Sequence, residues 1–373
     1  MSYNVLVTGG AGFIGSYLVD ALVKDGCKVA VLDNLTPQVH RDGKVPSYMN
    51  SSINFIRRDV RDRNGLSRAL KDAEVVFHHA SVVGVGQSMY EIERYVDANS
   101  RGTAALLDVL VNEKNSVEKL IVASSMSVYG EGEYLCDRCG RIHPEVRPFE
   151  QLRNKEWEMR CDRCGASARP IPTSEDKPLH PTSVYAISKR DQEEMCLILG
   201  RAYDIPTVAL RYFNVYGRRQ SLSNPYTGVA AIFSSRLLNN NPPIIYEDGN
   251  QTRDFTHVSD IVQANLLAMQ KEAANYQVFN VGTGEAISIK EVAEALGKAL
   301  GSPVKPQVTY QFREGDIRHC YAEITRIREK LGYQPKVKFE DGMADLAEWV
   351  KGQSAEDLFT AAEQKLSSMG LTR

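Results

Sequence analysis

Short apolar runs alternate along this chain with longer amphipathic stretches, and that alternation predicts the architecture. Asn4 to Thr8, Lys28 to Asp33, Ile53 to Val60, Glu74 to Ala80, Lys119 to Ser124 and Thr207 to Phe213 read as buried strands. Between them, Tyr17 to Lys24, Gly65 to Lys71, a long stretch from about Met89 to Asn112, and Pro181 to Ala202 read as helices. Strands and helices in this order predict an α/β fold, a Rossmann-type doubly wound parallel sheet with its ligand at the strand C-termini. After Phe213 the pattern changes: Pro, Asn and Gly become frequent at Ser221 to Tyr226 and Asn239 to Pro243. The expected division is a large domain over residues 1–213, to which 253–282 return, and a smaller α/β substrate-binding domain over 214–252 and 283–373. Residues 133–172 interrupt the rhythm as an insert.

The first candidate chemistry sits in the turns at strand ends. Gly9, Gly12 and Gly15, with Phe13 and Ile14, lie between the first strand and the first helix. Such a turn lets backbone N–H groups approach a pyrophosphate at a helix N-terminus. Asp33 ends the second strand about twenty residues on, where recognition of a ribose 2′-OH requires an acid. A dinucleotide site follows, and a carboxylate there repels a 2′-phosphate, which favours NAD over NADP. His78 and His79 close another strand, and packing or backbone bonding outweighs metal ligation as their reading.

Ser124 and Ser125 end the strand that starts at Lys119, and Tyr185 and Lys189 share one helix face at i and i+4. A phenol with a pKa of about 10 is a poor base at neutral pH. An ammonium one turn away, together with a positive nicotinamide ring, is expected to favour the phenolate. Tyr185 then takes a proton from a substrate hydroxyl while Ser125 hydrogen-bonds the same oxygen. For Ser125 the plainer alternative is a strand-end hydroxyl that satisfies backbone groups.

With these residues assembled, the chain resembles the extended short-chain dehydrogenase/reductases of the nucleotide-sugar epimerase and dehydratase type, except over about residues 133–172. The resemblance rests on Thr8-Gly9-x-x-Gly12-x-x-Gly15, Asp33-Asn34, Asp59-Val60, Ser124-Ser125-Met-Ser-Val-Tyr-Gly130, Tyr185-x-x-x-Lys189, Arg211-Tyr-Phe-Asn214 and Arg253-Asp254-Phe255. It implies that NAD is held by Gly9, Gly12, Phe13, Ile14 and Gly15 at the turn, and by Asp33, Asn34, Asp59 and Val60 beyond it. Further along, His79, Ala80, Asn99, Ser124, Tyr185, Lys189 and Phe213 are implied to complete that site. Catalysis falls to Ser125, Tyr185 and Lys189, and Ser125 and Tyr185 also touch the substrate.

The substrate implied is a nucleotide sugar, a dTDP- or UDP-sugar. Asn214 then contacts the diphosphate, Arg253 and Arg313 hold phosphate, and Asp316 meets the nucleotide's ribose. Either arginine can instead belong to a surface ion pair. Family members that eliminate water carry an acid pair where Met126 and Ser127 stand, and decarboxylating members tend to carry a glutamate at the position of Ser127. The resemblance therefore points to epimerisation, most often at C4, through a transient 4-keto sugar. The runs Ser221 to Phe233 and Glu247 to Asp254 resemble members acting on dTDP-L-rhamnose, which yield dTDP-6-deoxy-L-talose. A UDP-hexose such as UDP-glucose is the alternative, followed by a nucleotide-sugar reductase and, in a different class, a non-enzymatic NAD-sensing protein. The family's usual homodimer contact suits the apolar faces of 89–112 and 181–203.

Within the insert, Cys136-Asp-Arg-Cys139-Gly and Cys161-Asp-Arg-Cys164-Gly are near-copies. Paired Cys-x-x-Cys turns present four thiolates to one tetrahedral ion, so a zinc-ribbon-like module with structural zinc on Cys136, Cys139, Cys161 and Cys164 is expected. Four reduced thiols or a redox disulfide pair are the alternatives. Four thiolates leave zinc no open position, so such a site is not catalytic, and the insert is expected to cover the sugar or to mediate subunit contact. Cys27, Cys196 and Cys320 stand alone and read as buried.

Composition changes this picture little. Across 373 residues the formal net charge is -2 with no long run of either sign, which argues against a nucleic-acid partner. No apolar stretch approaches the roughly 20 residues of a membrane span, and no signal peptide is expected at the N-terminus. An odd number of cysteines, seven, suits a reducing compartment better than a disulfide framework, so a cytoplasmic protein is expected.

Overall fold

The computed structural model describes residues 3–313 and 315–373; Glu314, in the expected basic-acidic loop Arg313 to Asp316, lies outside the described residues. Seven strands form the central sheet: β1 (Asn4–Thr8), β2 (Lys28–Asp33), β3 (Asn54–Arg57), β4 (Val75–His78), β5 (Lys119–Ser125), β6 (Thr207–Tyr212) and β7 (Val278–Val281). All pairings are parallel, in the order β7-β6-β5-β4-β1-β2-β3. The order reverses at β1, where Thr8 lies level with both Leu32 and His78, and ligands of such sheets bind at that crevice.

Among the helices that flank the sheet are α1 (Phe13–Lys24), α2 (Arg63–Leu70), α3 (Gly102–Asn112), α4 (Val184–Ala202) and α5 (Val258–Gln270). Strand side chains alternate between faces, so Val5 and Val7 meet Leu18 and Leu22 of α1 and Ile261 of α5. On the other face Leu6 joins a core with Leu66 of α2, Leu106 and Leu110 of α3, and Leu197 of α4. Because both faces are covered, these strands are apolar almost throughout, which is why they were readable as runs. A separate core forms around Phe233, Leu296, Phe339 and Leu346, from the helices Val229–Leu238, Ile289–Leu300 and Phe339–Lys351.

The helix expected from about Met89 to Asn112 runs from Ile92 to Asn112, with a wider turn inside it. One turn at Val85–Ser88 and another at Ile92–Tyr95 precede a π-helical stretch, Val96–Arg101, which then leads into α3. Buried Asn99 accounts for the wider turn: its Oδ1 accepts from Val82 N–H at 2.7 Å, and its Nδ2 donates to the Val82 carbonyl at 3.0 Å. A helix that admits one extra residue can turn such a side chain toward a neighbouring loop.

The insert builds a three-stranded antiparallel sheet with Glu133–Cys136 in the middle, flanked by Gly140–Ile142 and Arg169–Ile171. Tyr134, Ile142, Met159 and Ala168 give it a small apolar core of its own. Cys27, Cys196 and Cys320 are buried elsewhere, as expected.

Asp254 joins the two parts of the molecule. It is fully buried, and it accepts from Thr283 N–H, Thr283 Oγ1 and Gly284 N–H, each at 2.8 Å, in the turn just after β7. Asp254→Ala strands these donors and is expected to lower the unfolding free energy by about 3 kcal/mol, read from urea denaturation. An unshifted midpoint would contradict that role.

Candidate active site

A cavity of about 710 Å³ opens at the C-terminal edge of the sheet, between the strand ends and the loops of the smaller core. Gly9 forms its floor with φ +70, and a Cβ there would lie 2.8 Å from the Ala80 nitrogen. Gly12, Phe13 and Ile14 carry the wall onto the N-terminus of α1. Gly15 does not border the cavity: a Cβ there would meet the Gly9 carbonyl oxygen at 2.4 Å, so this glycine lets the helix pack against its own turn. The cradle therefore has the shape a pyrophosphate needs.

Asp33 lies at the cavity edge, its carboxylate accepting from Ala11 N–H at 3.1 Å and Leu35 N–H at 2.9 Å. Asn34 and Asp59 meet at 2.8 Å, and hydrogen bonds from Arg61 hold the Asp59 carboxyl down at about 2. Val60, His79, Ala80, Ser124 and Phe213 also border the cavity. Asn99 lies behind the wall, with both ends of its amide committed to Val82 and Ser188. His78 is held between the Thr8 and Thr103 hydroxyls, each at 2.8 Å, and burial lowers its pKa to about 3. Burial likewise lowers His79 to about 4, against the hydrogen bond that its Nε2–H donates to Asn265 Oδ1 at 3.3 Å. Both rings are thus neutral packing groups.

The three candidate catalytic groups converge on this cavity. Ser183 caps α4 by accepting from Ala186 N–H at 3.1 Å, which starts the helix just ahead of Tyr185. Two turns further on, Glu193 locks α4 to the sheet. It accepts from Ser124 Oγ on β5 at 2.6 Å, and from Arg211 on β6 at 2.5 and 3.0 Å. Ser125, the next residue on β5, accepts from Ser127 N–H at 3.1 Å and Ser127 Oγ at 2.9 Å, so its own O–H is left to donate. Burial raises the Tyr185 phenol to about 12, opposed by its hydrogen bond with Ser125. Burial also lowers Lys189 to about 8, and its ammonium is held by Gln192 Oε1 at 2.7 Å.

The nucleotide-side candidates are gathered at the other end of the cavity. Asn214 brings a buried Oδ1 with no hydrogen-bond partner among the described residues. Arg253 donates to the carbonyls of Thr252, Ile317 and Arg318, which uses three of its five N–H groups. Arg313 and Asp316 pair with each other at 2.8 Å, and the Arg313 guanidinium stacks on Tyr246, 4.8 Å from the ring centroid. Tyr246, Gln220, Asn224 and Tyr226 border the cavity without having been anticipated. So do Phe359, Ala362 and Leu366 of the last helix; their helical spacing was visible, but not the surface they cover.

The four cysteine sulfurs of the insert lie within 4.8 Å of one another, with Cys136 Sγ and Cys164 Sγ 3.6 Å apart. A zinc–sulfur bond of about 2.3 Å gives a tetrahedron with edges of about 3.8 Å, so the donor set fits the ion. No described residue of 133–172 borders the cavity. His143 Nε2–H donates to Glu133 Oε1 at 2.8 Å, outside the sulfur cluster.

A family model described as "NAD dependent epimerase/dehydratase family" matches residues 5–149, and one described as "GDP-mannose 4,6 dehydratase" matches 165–346. A dTDP-L-rhamnose 4-epimerase of Burkholderia thailandensis is 34% identical over 93% of this chain and 94% of its own. The chain belongs to the NAD-dependent epimerase/dehydratase family.

Two solved members of this epimerase/dehydratase family place the fold independently. The UDP-glucose 4-epimerase of Thermotoga maritima, determined with UDP-glucose, superposes with a TM-score of 0.76 at 33% identity, covering 93% of this chain and 98% of that one. The UDP-glucose 4-epimerase of Thermus thermophilus, in complex with NAD, gives 0.74 at 31%, covering 94% and 99%. In this chain the helix that carries Tyr185 and Lys189 is joined to the sheet by the Glu193–Arg211 pair, with side chains 3% and 5% exposed. Glu193→Ala leaves the Arg211 charge buried and unpaired, and is expected to cost about 3–5 kcal/mol in chemical denaturation. A loss below about 1 kcal/mol, the range of exposed pairs, would show that the pair does not hold the helix.

Proposed function

We propose that the protein is an NAD-dependent nucleotide-sugar 4-epimerase. The observation that carries this reading is Ser125, Tyr185 and Lys189 brought to one cavity beside Met126 and Ser127. Neither Met126 nor Ser127 can act as the acid or base that elimination requires. NAD, when bound, accepts hydride from the sugar carbon and returns it. Tyr185 takes the hydroxyl proton from that carbon and gives it back, and Ser125 donates to the same oxygen through the O–H that Ser127 leaves free. Since burial places the phenol near 12, its activation relies on positive charge brought close to it when the site fills, with Lys189 freed from Gln192.

The cofactor sits on Gly9, Gly12, Phe13 and Ile14, with Asp33 on a ribose and Asn34, Asp59, Val60, His79, Ala80, Ser124 and Phe213 around it. Gly15 and Asn99 support that site from behind, by packing and by holding Val82. Asn214, Arg253, Arg313 and Asp316 take the nucleotide diphosphate and its ribose. The substrate we favour is dTDP-L-rhamnose, in line with the Burkholderia thailandensis relative; the Thermotoga maritima neighbour, determined with UDP-glucose, favours a UDP-hexose as second reading. Purified enzyme is expected to convert dTDP-L-rhamnose, followed by NMR, and Tyr185→Phe to lose roughly 10²–10⁴-fold in kcat while keeping its NAD. Conversion of UDP-glucose alone would reassign the substrate, and a Tyr185→Phe variant of full activity would remove the mechanism.

Cys136, Cys139, Cys161 and Cys164 hold one structural zinc in this reading, closing a module whose apolar core is otherwise small. Free thiols of this kind suit a reducing compartment such as the cytoplasm, and no helix among the described residues is long and apolar enough to cross a membrane. Exposed Ile92 and Val96, with Ile187 and Ile198 on α4, provide the apolar face for a homodimer. Protein purified without chelator is expected to carry about one zinc per chain by elemental analysis. Metal-free protein with four titratable thiols and unchanged folding of residues 133–172 would dismiss the ion.

A further inference from the structure

The insert reaches the cavity without lining it, through two charged side chains. Arg147 leaves the segment between the two cysteine pairs and buries its side chain completely. Its guanidinium holds the Glu247 carboxylate by two bonds, at 2.7 and 2.9 Å, and donates to the carbonyls of Trp157 at 2.9 Å and Asp316 at 3.3 Å. Glu247 and Asp316 both border the cavity, whereas Arg147 does not. The second arm is Glu158, which accepts from Arg318 at 2.5 and 3.1 Å and meets His319 at 3.1 Å. Arg318 in turn donates to Glu247 at 2.9 Å and to Asp248 at 2.7 and 3.0 Å.

Glu247 is thus clamped between two arginines, one from the insert and one from the strand end beside it. Its backbone is held as well: φ is +53, and its N–H donates to the Gln311 carbonyl at 2.7 Å. The residue before it, Tyr246, carries the Arg313 guanidinium on its ring. One buried guanidinium therefore joins the insert, the 246–248 turn and the backbone of Asp316. Of the two arms it is the stronger, since Glu158 is 56% exposed and solvent weakens its grip. A bidentate arginine–carboxylate pair fixes direction as well as distance, which a point charge does not.

We infer that Arg147 is a positioning residue that shapes the nucleotide end of the cavity, so that the cysteine-bearing insert acts on nucleotide affinity from outside the site. This rests on the nucleotide-sugar reading for the identity of the ligand, but not for the mechanical coupling. Arg147→Met and Arg147→Lys, each isolated with its NAD, separate the two. Hydrogen exchange is expected to rise in Arg147→Met in the peptides that contain Tyr246 to Asp248 and those that contain Arg313 and Asp316, while α4 exchanges as in wild type. The dissociation constant for dTDP or UDP, by calorimetry, is expected to rise about tenfold, with NAD content unchanged and Arg147→Lys in between. Wild-type exchange in those peptides overturns the inference, as does a rise throughout the chain with NAD lost from both variants. If the wild type binds neither dTDP nor UDP while exchange responds as described, the nucleotide reading falls and the coupling stands.

Discussion

A buried ion pair between a helix and the sheet decides where the chemistry can happen. Glu193 on α4 takes both Arg211 from β6 and the Ser124 hydroxyl from β5, so one carboxylate fixes the helix against two neighbouring strands. Arg211 extends the link to the Tyr129 hydroxyl at 2.8 Å and the Glu175 carbonyl at 3.1 Å, tying in both chain segments that flank the insert. A buried pair of this kind is a poor source of net stability compared with apolar packing, but it is intolerant of a shifted register. Here register is what matters. Ser125 follows Ser124 directly, and Tyr185 and Lys189 precede Glu193 on the same helix, so the carboxylate fixes the distance between the strand hydroxyl and the phenol.

The large domain was legible because its strands are covered on both faces and its helices on one, so burial wrote itself into the hydropathy pattern of Val5 to Val7, Val75 to Phe77 and Leu120 to Ala123. The glycine turn was legible for a steric reason: a side chain at Gly9 or Gly15 would collide with backbone. The π-helical turn before α3 was not, because the apolar stripe runs on past it and the turn goes with one polar side chain, Asn99, finding Val82 in three dimensions. The same limit applies to the site. Tyr185 and Lys189 share a helix and could be paired by spacing, yet the partner that Lys189 takes, Gln192, depends on burial that spacing does not report. Tyr246 and the last helix border the cavity through tertiary packing, with no local signal of their destination.

The cysteine insert shows how a peripheral module can bear on a site it does not touch. Its apolar core is small, and its four sulfurs stand close enough to share one ion. Its contact with the rest of the molecule combines an apolar patch, Leu152 and Trp157 on Phe312, with the fully buried Arg147 on Glu247 and the more exposed Glu158 on Arg318. Removing one member of such a network exposes the others to the full cost of an unpaired buried charge, so a change in the insert is felt where Glu247 and Asp316 border the cavity.

The two arginines assigned to phosphate differ in a way that bears on how the site fills. Arg253 spends three N–H groups on carbonyls of residues 252, 317 and 318, and these bonds organise the wall whether or not a ligand is present. Among the described residues the carboxylate that pairs with Arg313 is Asp316, with side chains 39% and 26% exposed, and partly exposed pairs are worth about 1 kcal/mol or less. Exchanging Asp316 for a diphosphate therefore costs little. It also frees the Asp316 carboxylate for a ribose hydroxyl, so in the proposed reaction a single exchange prepares both contacts. In the proposed reading Arg253 is the fixed donor and Arg313 the movable one, and the ring of Tyr246 holds the Arg313 guanidinium at the cavity.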